Sequence, residues 1–214
     1  MGRWAVAGLF VAAAVAMTAK AIDVLGATFA NPAPRAGLIS LYFVLRAGVV
    51  IAFALFVLLR PPPRRRSREP LAFAACAAAM LAVLFLGGPG AGTATALVLA
   101  GDLLAVCACA WLLVSVVVLG RCFGVLPEPR GLVTRGPYRL VRHPVYLGEL
   151  GACAGLVLAS PTALNVVLLG AFAAAQAVRM RLEERVLTAE FPEYRAYAAR
   201  TGRLLPRLRA TLPG

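Results

Sequence analysis

The sequence predicts an all-α integral membrane protein with about six transmembrane helices, the last two forming a C-terminal hairpin. Composition is the first reason: of 214 residues, 61% are hydrophobic and only 14% charged, far from a soluble domain. Segment length is the second, because apolar runs of roughly 16 to 26 residues recur along the chain and about 20 helical residues cross a bilayer core. The third is where charge sits. The net charge of +13 comes almost wholly from arginines at the ends of apolar runs. That pattern fixes topology against an anionic leaflet, whereas a nucleic-acid binder gathers its basic residues on a separate face.

The first apolar run, residues 4–22, follows Arg3 and ends at Ala19-Lys20-Ala21. It resembles both a first span and a signal peptide, and its length favours a retained span. Residues 23–37, with Asn31-Pro32-Ala33-Pro34, read as a loop. Residues 38–59 are the second span, closed by the basic, proline-rich stretch 60–68, which cannot continue a helix. Residues 71–86 form a short third span, and 87–93 a tight turn. Its Gly88-Pro89-Gly90-Ala91-Gly92 lacks the Gly-Lys-Ser/Thr and preceding strand of a phosphate-binding loop. The fourth span covers about 94–119. After a loop over 121–142, two apolar runs of about 16 residues flank Ser160-Pro161 and read as the hairpin. From residue 179 the chain is polar and arginine-rich. The division expected is a four-span region, 1–119, followed by a second region, 120–214.

Nineteen of the 22 basic residues then fall on one side, Lys20 and Arg35 fall on the other, and Arg46 lies within a span. The positive-inside rule puts both termini, the 121–142 loop and the tail in the cytoplasm, with the cell (inner) membrane as the expected location. Arg46 and Asp102 lie at similar depths from the outer ends of their predicted spans, so they are expected to pair with each other. The five cysteines lie in or beside apolar runs without a Cys-x-x-Cys, and packing rather than metal binding is their reading.

Polar chemistry concentrates in residues 136–148, Gly-Pro-Tyr-Arg-Leu-Val-Arg-His-Pro-Val-Tyr-Leu-Gly, which contain the only histidine, His143. A basic loop meeting lipid headgroups is the bland alternative. Further along, Arg179 and Glu183 are four apart, on one face of a helix continuing from the last span. A structural salt bridge is the bland reading there.

These residues resemble the isoprenylcysteine carboxyl methyltransferase family and its relatives among the membrane phospholipid methyltransferases. The resemblance covers about residues 119–208. It rests on Leu132-Val133-Thr134, Gly136-Pro137-Tyr138, Arg142-His143-Pro144-Val145-Tyr146-Leu147-Gly148, Arg179 with Glu183-Glu184, and Phe191-Pro192-Glu193-Tyr194-Arg195-Ala196-Tyr197. It implies S-adenosylmethionine as cofactor, held in a cytoplasmic pocket between loop, hairpin and tail, without a Rossmann-type fold. By the same resemblance, Arg130, Gly131, Leu132, Val133, Tyr138, His143, Pro144, Val145, Tyr146 and Glu183 bind the cofactor, and Arg179 and Glu184 are the catalytic candidates. The acceptor expected is a lipophilic molecule or lipid entering from the bilayer, most simply a carboxylate of an isoprenylcysteine-like compound, with membrane lipids as the other partners.

The residue types agree with that chemistry on their own. S-adenosylmethionine carries a sulfonium, an ammonium and a carboxylate. Glu183 can meet the ammonium, His143 or Arg142 the carboxylate, and Tyr138 with Tyr146 the adenine or the sulfonium, a cation-π contact being worth about 0.5 to 2 kcal/mol. Tyrosines of an interfacial aromatic belt are the alternative. Methylation of a phospholipid amine, a sterol-type membrane reductase using NADPH and a non-catalytic membrane protein are the competing readings of the chain.

Overall fold

A proline opens three of the helices in the computed structural model, which describes residues 3–62, 69–87 and 92–207. Pro34, Pro70 and Pro144 each occupy a first turn, where the missing N–H would have found no intrahelical partner. The elements are α1 (Arg3–Ala30), α2 (Pro34–Leu59), α3 (Pro70–Phe85), α4 (Thr95–Leu119), α5 (Pro144–Ala159), α6 (Ala163–Glu190) and α7 (Tyr194–Arg200). Within α1, α2, α4 and α6 lie segments long and apolar enough to cross a membrane, while α3 and α5 are apolar helices of 16 residues each. The chain is thus an all-helical integral membrane protein. Among the described residues, the sole extended pairing is a parallel bridge between Val141 and Gly202. Most of the basic stretch 60–68 and of the glycine-rich turn 87–93 lies outside the described residues.

Two expectations are corrected. The loop over 23–37 shrinks to 31–33, because α1 runs on to Ala30 and α2 already starts at Pro34. Only the Asn-Pro step itself breaks the helix. Thr28 Oγ1 and Ser40 Oγ lie 2.7 Å apart and tie the two helix ends together. The second correction follows from the first. With α2 starting at Pro34, Arg46 is twelve residues in, about 18 Å, while Asp102 is seven residues into α4, about 11 Å. They do not pair. Asp102 accepts from Arg35 Nε at 2.9 Å, the arginine reaching in from the exposed end of α2. Arg46 instead donates to the Tyr42 hydroxyl one turn back.

Small residues let the helices approach. On α1 the buried positions are Ala7, Ala14 and Ala21, a seven-residue seam toward α2, and on α3 they are Ala72, Ala75, Ala79 and Ala82. The closest approach is α4 against α5. A Cβ on Gly155 would lie 2.6 Å from Ala105 N and from Gly101 O, and one on Gly101 would lie 2.5 Å from Ala159 N. One on Gly148 would lie 2.7 Å from Leu112 Cβ, and one on Gly151 2.9 Å from Ala108 Cβ. In lipid, where apolar surface gains nothing by leaving water, such close contact is a main source of helix association. The Gly-x-x-x-Gly of 151–155 faces α4.

Large apolar side chains at these glycines should therefore separate the helices. Gly155→Val should destabilise the protein by roughly 1 to 3 kcal/mol, whereas Gly170→Val, where an added Cβ meets nothing within 4 Å, should be tolerated. Thermal denaturation of both variants in detergent checks this, and equal loss in both would overturn the packing account.

Candidate active site

The α4–α5 contact sets where α5 begins, and α5 begins at the site. His143 is the residue before Pro144, and its φ of −123° and ψ of 60° keep it out of the α region that a following proline disfavours. Trp111 on α4 donates its indole N–H to the Pro144 carbonyl at 3.0 Å, fixing that end. The other wall is α6. Its start is set by Thr162, whose side chain accepts from Asn165 N, and by Asn165, fully buried, which donates to the Ser160 carbonyl and accepts from Gly87 N. Counting from that fixed start, Gln176, Arg179 and Glu183 fall on one face.

Between these walls lies a cavity of about 790 Å³. It runs from the loops 122–133 and 138–146 and the tail tyrosines into the helix bundle, where Phe10, Tyr42, Arg46, Phe53, Met80 and Phe172 contribute to its lining. Of the residues expected from sequence, Arg130, Gly131, Leu132, Val133, Tyr138, His143, Val145, Tyr146, Arg179 and Glu183 line it, and Pro144 and Glu184 do not.

Tyr146 is the centre of the polar cluster. Its hydroxyl donates to Glu183 Oε2 at 3.0 Å, the Arg179 guanidinium carbon stands 5.0 Å from its ring centroid, and the His143 ring meets it edge-on at 5.4 Å. Arg179 and Glu183 are not ion-paired with each other. Arg179 donates to Gln176 Oε1 at 2.7 Å and to the Val125 carbonyl at 3.4 Å, and Gln176 in turn donates to Glu149. Both acceptors of Arg179 are neutral, so its charge is not matched by a carboxylate hydrogen bond.

Glu184 faces the other way. It accepts from His143 Nε2 at 3.1 Å and from Arg203 through both Nε and Nη2, and Arg142 Nε is 3.4 Å away. A carboxylate can only accept, so Nε2 carries the proton and Nδ1 is turned toward Glu183, whose Oε2 is 4.0 Å away, too far for a hydrogen bond. Glu184 thereby joins helix, loop and tail. The tail is also held by backbone bonds from Arg142 N to Gly202 O and from His143 N to Arg203 O, at 2.8 and 3.0 Å.

Arg130 is turned inward. Its guanidinium pairs with Glu128 at 2.6 Å and bonds the Glu128 and Pro61 carbonyls, so its role in the loop is to hold backbone in shape. Gly131 packs closely there, since a Cβ would lie 2.8 Å from Cys122 Sγ and the thiol would have to move. The Tyr138 carbonyl accepts from Tyr197 OH at 2.7 Å. Burial pushes the Tyr138 phenol well above its ordinary 10 and the Tyr197 phenol up to about 12, so both stay protonated donors at neutral pH. Tyr194 OH is buried without a hydrogen-bond partner among the described residues, and its side chain lines the cavity.

Sequence reasoning missed Gln176 and Tyr194 as members of the site and gave Glu149 no role in it. The signal was present in spacing: Gln176 precedes Arg179 by three and Glu183 by seven, and Glu149 follows Tyr146 by three.

Residues 91–193 match the phospholipid methyltransferase family. It is the family that the residues of the 136–148 loop and of α6 resemble. The matched segment takes in α4, α5 and α6, the helices that build the polar end of the cavity. Two curated relatives are similar over part of the same chain. The cobalt-zinc-cadmium resistance protein CzcN of Cupriavidus metallidurans is 39% identical over 100 residues, covering 44% of this chain and 46% of its own. The nickel-cobalt-cadmium resistance protein NccN of Alcaligenes xylosoxydans xylosoxydans is 38% identical over 78 residues, covering 36% and 37%. The chain thus matches less than half the length of either relative.

The two adjacent glutamates should separate by experiment. Glu184→Gln should lower thermal stability by about 1 to 3 kcal/mol, because it weakens several charged hydrogen bonds at once, and should open the tail to trypsin around Arg203. Glu183→Gln, whose carboxylate holds only Tyr146, should leave the tail protected. Limited proteolysis of both variants reads the difference, and equal cleavage would reject the assignment of Glu184 as the clamp.

Proposed function

We propose, from the match of residues 91–193 to the phospholipid methyltransferase family, that the chain transfers a methyl group from S-adenosylmethionine to a carboxylate on a lipophilic acceptor drawn from the bilayer. The observation that carries this reading is one cavity that joins the cluster of Glu183, Tyr146, His143 and Tyr138 to an apolar chamber among the helices, with Arg179 between them. In this reading the polar end is cytoplasmic, six helices span the cell membrane, and residues 120–214 with α4 form the catalytic part.

The residues fit the cofactor. Glu183 offers a carboxylate to the ammonium, the tyrosines offer faces to the adenine and sulfonium, and the orphaned Tyr194 hydroxyl offers a donor that nothing else in the described chain uses. S-adenosylmethionine supplies an electrophilic methyl group on a positively charged sulfur. Arg179 holds the acceptor carboxylate in line with that methyl, exchanging its neutral partners for an anion it can grip with paired hydrogen bonds. The carboxylate oxygen forms the new bond to the methyl carbon, and the electron pair of the broken carbon–sulfur bond stays on sulfur. A methyl ester and a neutral thioether result. No proton moves, so no general base is needed, and His143, set by Glu184, has a positioning role.

Metal resistance is what the relatives' names say of those proteins. Among the described residues no group of three His, Cys, Asp or Glu side chains could hold a metal ion. Phospholipid amines remain the competing acceptor class, which an amine, unlike a carboxylate, would enter as a nucleophile needing to lose a proton.

Glu183→Gln should weaken S-adenosylmethionine binding by about 1.5 to 3 kcal/mol, the value of a charged hydrogen bond. Arg179→Lys should leave that affinity nearly intact and slow transfer to long-chain carboxylates, because lysine keeps the charge and loses the planar fork. Calorimetry for the cofactor and single-turnover assays with carboxylate and amine acceptors check both. Equal loss of cofactor affinity in the two variants would overturn the division of roles, and transfer to amines alone would overturn the carboxylate.

A further inference from the structure

Arg46 is a charged residue that the proposed reaction leaves without a task. It lies near the middle of α2, outside the segment matched by the family, about 18 Å from one helix end and about 20 Å from the other. It is half-buried and lines the membrane part of the cavity. Its guanidinium donates to the Tyr42 hydroxyl and stands 5.8 Å from that ring's centroid, and among the described residues no carboxylate pairs with it. A guanidinium has five N–H donors, and one bond to a neutral phenol leaves most of them unanswered. A cation at this depth costs several kcal/mol unless partnered, and such residues mark the paths of charged or polar ligands. Of the other charged side chains in the inner cavity, Glu149 accepts from Gln176, and Arg179 is the one that the proposed reaction already assigns to the methyl-accepting carboxylate.

We propose that Arg46 and Tyr42 form an anion site deep in the cavity, which binds a carboxylate or phosphate carried by the lipophilic acceptor away from its methyl-accepting group. The Tyr42 hydroxyl accepts from Arg46, so its own proton can be donated to the same anion, and the two side chains, one helical turn apart, converge on one point. A bare prenyl or acyl chain would match the apolar wall but leave Arg46 facing hydrocarbon. The site therefore selects acceptors with a second anionic group. This rests on the methyl-transfer reading for the word acceptor, but the anion site itself is tested separately.

The test uses the full chain in neutral detergent, in an Arg179→Gln background that removes the competing anion site. Oleate binding is measured by calorimetry with and without Arg46→Gln. The expected result is a loss of oleate affinity of at least about tenfold, with partial recovery in Arg46→Lys and with oleyl alcohol affinity changed by less than about twofold. S-adenosylmethionine affinity, measured on the same samples, reports that the variants are folded. Affinity for both oleate and oleyl phosphate that Arg46→Gln leaves unchanged, or losses for them no larger than that for oleyl alcohol, would overturn the site. Oleyl phosphate replaces oleate in a parallel titration, and Arg46-dependent binding of that compound alone would assign the site to a phosphate and keep the proposal. A wild-type chain that binds oleate through Arg46 and binds no S-adenosylmethionine would overturn the proposed function and leave the anion site standing.

Discussion

The contact between α4 and α5 is the constraint on which the site depends. Four glycines bring two backbones so close that Gly101 and Gly155 each sit where a Cβ would strike the partner's main chain. That closeness has two consequences. It sets the rotation of α5, so that Tyr146 and Glu149 turn toward α6 while Gly148 rides over Leu112. It also brings Trp111 within reach of the Pro144 carbonyl, which anchors the first turn of α5 and with it His143. A looser interface would leave the loop end of α5 to wander by distances that matter for catalysis.

Polar forces close what packing begins. Glu184 gathers Arg142, His143 and Arg203 from loop and tail, and the Val141–Gly202 bridge lays the tail beside the loop. Gly202 allows this, since a Cβ there would lie 1.8 Å from the Leu205 carbonyl oxygen. Glu184 thus joins His143, 41 residues before it, to Arg203, 19 residues after it. These contacts hold because His143 is removed from water while its partner carboxylate has several donors, so the Glu184 charge and His143 Nε2 are both answered.

Much of this was legible in the sequence. Apolar run lengths located α3 and α4 to within a residue or two, and the clustering of His143, Tyr138 and Tyr146 marked one wall of the cavity. The continuation of α6 past the apolar run was legible too, since Arg179 and Glu183 kept helical spacing. The errors have physical causes. Residues 23–30 are helical because proline stops a helix only locally, a point that the density of prolines at 32 and 34 obscured. The pairing of Arg46 with Asp102 failed because depth was counted from the wrong helix start, and because a flexible arginine at a helix end reaches an aspartate that a mid-helix arginine does not. The different directions of Glu183 and Glu184 follow from the 100° step between neighbours on a helix, but which of them met the cavity depended on the rotation of α6, and no local pattern encodes that.

The arrangement around Arg179 also bears on how such a site could be fast. In the proposed reaction, transfer from a sulfonium to a carboxylate would cancel two opposite charges, and a medium of low dielectric constant favours that cancellation. An arginine gripping the carboxylate works against it, because the anion it binds is disappearing in the transition state, and binding that is stronger in the ground state raises the barrier. The geometry moderates this conflict. Arg179 already has a neutral amide, a backbone carbonyl and the face of Tyr146 as partners. As the acceptor's charge falls, these can take the guanidinium back without leaving a bare buried cation. Positioning is then obtained at a smaller cost to the chemical step than a lone arginine in hydrocarbon would impose.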